Sequence, residues 1–203
     1  MKRTEGILSL LCNVGIIYGT AAIPWEGSDL RTFTENANLL AALGALCMLP
    51  FSVACARKGR WKIPRWANAL KFIGTCALAV TLLTVLFFLA PRDGYRAQLL
   101  GENAFPHLIS PILAIVSCAF LEKGEPLSRL HIATGALPVF LYAPVYAVNA
   151  LFLRKWDDLY GFNAGGKWMV SAAVMLLGTV CLSACLLLIK NRASRGWRRE
   201  ATR

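Results

Sequence analysis

Acidic residues are few. The chain carries 11 Asp and Glu against 22 Lys and Arg, and charged residues make up only 16% of its 203 positions. With 57% hydrophobic residues and a mean hydropathy of +0.53, no stretch is left from which a soluble domain could be built. Histidine is scarcer still: His107 and His131 are the only two. Neither stands near Cys181 and Cys185, which have no carboxylate beside them either, so no metal site and no cofactor are expected. None of the seven cysteines falls in a predicted outer loop, and their number is odd, which argues against a disulfide framework. No small-residue cleavage signature closes the first apolar run, which is therefore expected to be a retained helix rather than a signal peptide.

What the sequence does hold is apolar runs, at roughly 7–23, 37–55, 68–90, 105–121, 130–153 and 168–189. Each is long enough, or nearly so, to cross a hydrocarbon layer about 30 Å thick. They predict an all-α membrane protein, a bundle of six transmembrane helices forming a single domain over 1–203. Fifteen of the 22 basic residues fall on one side of these runs, mainly in 57–65 and 190–203, and six on the other. This asymmetry predicts cytoplasmic N- and C-termini. Acidic residues such as Glu26, Asp29 and Glu35 lean outward. The net charge of +11 is thus read as a contact for anionic lipid, including a lipid-facing tail from Lys190, and not for nucleic acid. Lys71, just inside the third run, is expected to snorkel to the cytoplasmic surface.

Polar residues gather at the outer ends. Thr32 or Thr34 can cap the second helix, but Asn38 lies inside the apolar run, on the face of Thr34, where polar groups often mark a site. In the fourth run Pro106 suits a first helical turn, placing His107 beside the positive helix end, with Ser110 three residues on. His107 reads as a general base, a ligand or an interfacial residue of the headgroup layer. Tyr142, Tyr146 and Asn149 form a stripe at the outer end of the fifth run, either core packing or a pocket wall. The loop Arg154–Gly166, with Trp156, Asp157 and Asp158, could fold over the outer mouth. Gly15 and Gly19 give the first run a face for close helix approach, and a partner subunit is one use for it.

Three short motifs stand at these positions: Phe33-Thr34-x-x-x-Asn38-Leu39-Leu40, His107-x-x-x-Pro111, and Leu141-Tyr142-x-Pro144-x-Tyr146 followed by the loop Trp156 to Phe162. On them the chain resembles six-helix bacterial membrane proteins of unassigned activity, the Pr-six-Pr type. These are in turn similar to the androgen-induced and androgen-dependent membrane proteins of animals. Those animal proteins are threonine hydrolases that cleave fatty-acid esters of hydroxy fatty acids. The resemblance implies Thr34 as nucleophile and His107 as base. Relatives carry an acidic residue part-way down helix four, where this chain has Ser117, so an orienting carboxylate is expected from Glu35 or the outer loop. The expectation is an outward-facing intramembrane pocket for a lipid ester, contacted by Glu35, Asn38, Ser110, Tyr142, Tyr146, Asn149 and Asp157. The alternative is a pocket that binds or transports a lipid or small molecule without chemistry.

Overall fold

The computed structural model describes residues 2–25 and 30–201. Glu26, Asp29 and Arg203 lie outside the described residues. Among the described residues every regular element is helical. Six helices are long and apolar enough to cross a membrane: α1 Lys2–Ala21, α2 Phe33–Lys58, α3 Arg65–Asp93, α4 Gly101–Leu121, α5 Leu130–Phe152 and α6 Trp168–Ala201. A short helix, Tyr95–Leu99, bridges α3 and α4.

Contacts fix which ends lie together. Lys123 pairs with Glu5 at 2.6 Å, Cys55 donates to the carbonyl of Lys2, and Asn191 exchanges two hydrogen bonds with the backbone of Leu127. The start of α1 and the ends of α2, α4 and α6 therefore share one end, the basic one. Thr32, Arg92, His107, Tyr146 and Tyr160 share the other, because Tyr160 bonds to Phe33 and Tyr146, and Arg92 to Leu159.

Helix α3 is the axis of the bundle, with 61% of its apolar window buried against 22% for α6. Its neighbours meet it through small residues: Ala37, Ala41 and Ala45 of α2 join Ala77, Leu78 and Val80 in the main core. The Gly15 and Gly19 face is already occupied. A side-chain carbon at Gly15 would lie 2.7 Å from Leu113, and one at Gly19 would lie 2.5 Å from the hydroxyl of Ser110. These glycines let α1 lie directly on α4, and the face is not available to a partner subunit.

Prolines mark where the helical ladder loosens. π-helical turns at Val85–Leu89 and Ala147–Phe152 stand beside Pro91 and Pro144, and the one at Phe105–Ile109 contains Pro106 and precedes Pro111; a fourth, Ser117–Leu121 toward the basic end, has no proline in it. Each proline removes an N–H from the ladder, and the wider turn re-pairs the neighbouring carbonyls. The three turns with prolines lie toward the non-basic end, where the bundle opens.

Candidate functional site

Helix α2 starts with Thr32 in extended conformation, its hydroxyl oxygen accepting from the Glu35 amide at 3.2 Å. Such a cap contributes about 1 kcal/mol. Thr34, one residue inside the helix, is thereby relieved of capping. It stands in the first turn of a 26-residue helix, where backbone dipoles favour negative charge.

Helix α4 begins at Gly101 rather than at Pro106, so His107 lies more than a turn inside and the helix end is not what sets its state. The connector holds the ring instead. Nδ1 lies 2.8 Å from the carbonyl oxygen of Gln98, and a carbonyl only accepts, so Nδ1 carries the proton. Nε2 keeps its lone pair, the tautomer a general base needs. The orienting group expected as a carboxylate is a backbone carbonyl.

Thr34 and His107 line one cavity of about 330 Å³, together with Glu35, Arg92, Gln98 and Tyr160. That volume lies at the lower end of the range of about 300–1,000 Å³ usual for ligand pockets. Arg92 is held by both carboxylate oxygens of Asp93, at 2.7 and 2.9 Å, and donates to the carbonyl of Leu159. Thr34 also borders a second, apolar pocket walled by Val80, Val139, Tyr142, Tyr146 and Met175. The threonine thus stands between a polar compartment and an apolar one.

The other expected contact residues stand elsewhere. Asn38 is fully buried and donates to the carbonyls of Thr34 at 2.9 Å and Pro106 at 3.3 Å, bracing α2 against α4 behind the cavity. Ser110 is buried against α1 at Gly19. Asn149 bonds back to Val145 and ends α5, its carbonyl receiving the amides of Lys155 and Trp156. Asp157 is exposed to solvent. None of these four lines a described pocket.

The organising acid of the outer loop is Asp158. It accepts from the Tyr146 hydroxyl at 2.6 Å and from the amides of Phe162 and Asn163 at 2.9 and 2.8 Å. Burial pushes its carboxyl pKa up, but those three donors and the charge of Arg92 outweigh burial and hold it below the ordinary value. The loop so pinned inserts Tyr160, whose hydroxyl accepts from the Phe33 amide at 2.8 Å. Burial raises the pKa of that phenol, keeping it neutral. Tyr160 lines both compartments beside Thr34.

A second polar cluster lies toward the basic end. The ammonium of Lys71 donates to Asn13 Oδ1 at 2.5 Å and lies 3.7 Å from Glu122 Oε1, with the two charged side chains 2% and 0% exposed. Asn13 and Ser9 donate to the same carboxylate oxygen at 2.9 and 3.1 Å. Lys71 does not snorkel: α3 is surrounded, so its side chain has no lipid-facing path to the surface, and its partners are internal. Lys190, expected to open a lipid-facing tail, is likewise buried, donating to the carbonyls of Cys118 and Glu122. Such buried pairs fix helix register more than they stabilise. No family model, no curated protein and no solved structure matches the chain, so the functional reading rests on this geometry.

Proposed function

We propose that the protein is an integral membrane hydrolase of lipid esters, its termini cytoplasmic and its polar cavity open to the outer side of a bacterial plasma membrane. The observation that carries this reading is that Thr34 and His107 share one cavity wall while the Gln98 carbonyl leaves Nε2 of His107 as the acceptor. The basic residues at one end support the orientation.

Thr34 Oγ1 attacks the ester carbonyl carbon as His107 Nε2 takes the hydroxyl proton. Negative charge on the former carbonyl oxygen develops near the first turn of α2, where the helix dipole favours it. The C–O bond to the alcohol breaks, and the alcohol leaves with the proton from His107. Water, deprotonated by the same nitrogen, then attacks the acyl carbon; the bond to Oγ1 breaks, His107 returns the proton to Thr34, and the fatty acid leaves. Substrate with one polar and one apolar part suits a nucleophile set between a polar cavity and an apolar pocket.

The test is turnover of a fatty-acid ester by purified protein in detergent. Thr34→Ala and His107→Ala should each lose about 100-fold or more, while His131→Ala, at the basic end beside Ser128, keeps wild-type activity. No turnover by wild type, together with lipid binding weakened by His107→Ala, would replace hydrolysis with a binding or transport role.

A further inference from the structure

Helices α3, α5 and α6 are drawn together on the basic half, where Ser183 donates to the carbonyl of Ile132 at 3.0 Å and lies 3.7 Å from the Cys76 thiol. Beyond this tie, toward Tyr160, α6 parts from α3. A groove of about 380 Å³ opens between them, walled by Leu83 and Phe87 on one side and Val174, Gly178 and Leu182 on the other. Phe87 and Val174 are 68% and 56% exposed, so the groove is open along its flank. Its two long walls belong to the membrane-spanning helices α3 and α6, and the outer loop closes it at Tyr160 and Phe162. It adjoins the apolar pocket beside Thr34: Val80, Thr84, Tyr160, Phe162 and Met175 wall both.

We propose that the groove between α3 and α6 holds a lipid acyl chain that enters sideways from the bilayer, and that Gly178 sets the length of chain the site accepts. This rests on the hydrolase reading for its catalytic consequence but not for the binding itself. An unbranched hydrocarbon fits a long, side-open, apolar wall that adjoins the pocket on which Thr34 stands. Leaving lipid for such a groove gains little hydrophobic free energy, because acyl tails are as apolar as the wall. The groove therefore acts by orientation, holding the ester carbonyl against Thr34, and its effect falls on turnover more than on affinity. Gly178 is the position that decides the free width, since a side-chain carbon built there meets no atom within 4 Å. A larger residue fills the groove without pushing α6 off α3.

Two measurements test this. The first uses a monoacylglycerol whose long acyl chain ends in a photoreactive diazirine, added to the full-length protein in lipid nanodiscs. Adducts should map to Phe87, Val174 and their neighbours in the groove, and fall about fivefold or more in Gly178→Trp, while Gly178→Ala labels as wild type. Adducts spread evenly over the bilayer-facing helices, or unchanged in Gly178→Trp, would overturn the proposal. The second compares long- and short-chain esters. Gly178→Trp should lower kcat for the long chain about tenfold or more and leave the short chain within about twofold. An unchanged long-to-short ratio would also overturn it. Absence of turnover in wild type would sink the hydrolase reading alone, because the adduct map does not need Thr34.

Discussion

The ring nitrogen Nδ1 of His107 lies 2.8 Å from the carbonyl oxygen of Gln98, tying the imidazole on α4 to the short connector that follows α3. The tie fixes the tautomer with a group that cannot itself titrate. Replacing the ring by an amide that still donates to that carbonyl should preserve the local fold and remove the base. His107→Asn, whose amide nitrogen takes the place of Nδ1, is expected to unfold within a few degrees of wild type in detergent while losing about 100-fold or more in turnover. A large fall in melting temperature would show the ring to be a packing element first.

Asn38 braces the backbone on which both reacting residues stand. Asn38→Leu removes one donation within α2, to Thr34, and one across to α4, to Pro106, and should cost about 1 kcal/mol, somewhat above the typical value for a single interhelical hydrogen bond in a membrane protein. Thermal unfolding measures that loss. Turnover should fall by more than the stability change accounts for, since Thr34 and His107 lose their common anchor.

The pair Lys71 and Glu122 predicts strong non-additivity. Lys71→Met leaves a buried carboxylate without its cation and should destabilise by about 3–5 kcal/mol. Adding Glu122→Gln to that variant should restore more than half of the loss. A double-mutant cycle on unfolding free energies reads the coupling directly, and additive effects would mean that the two charges do not feel each other.

Asp158 gives the outer loop an acid limit. A carboxyl held below its ordinary pKa of about 3.9 stabilises the fold above that pH, and the contribution vanishes as pH falls through the lower folded-state value. Tryptic cleavage at the exposed Arg154, Lys155 and Lys167 suits neutral pH, where Asp158→Asn should open the loop by about 2 kcal/mol and speed cutting. In wild type the tyrosine fluorescence of the loop should change only below about pH 4, and in Asp158→Asn that acid step should be absent.

The six helices were legible because long apolar runs leave few alternatives in a chain this poor in charge. Their ends were less so: α1 starts at Lys2, ahead of the apolar run at 7–23, because Gly6 packs directly on the α2 backbone at Ala56. Polar side chains could be placed at a depth but not given a direction. Asn38 and Ser110 share the layer of Thr34 and His107, yet they turn inward to brace helices. Asp157 and Asp158 are adjacent and chemically alike, and only the loop's turn decides which one faces Tyr146. Gln98 acts through its carbonyl, a group every residue owns, so no residue type could announce it. Lys71 reads as a snorkelling residue until α3 is known to be the buried axis.

Covalent capture of Thr34 tests the central claim most directly. Wild-type protein treated with a fluorophosphonate probe should carry the adduct on the peptide containing Thr34, with labelling lost in Thr34→Ala and strongly reduced in His107→Ala. Equal labelling of all three proteins, or an adduct on any other residue, would contradict the account.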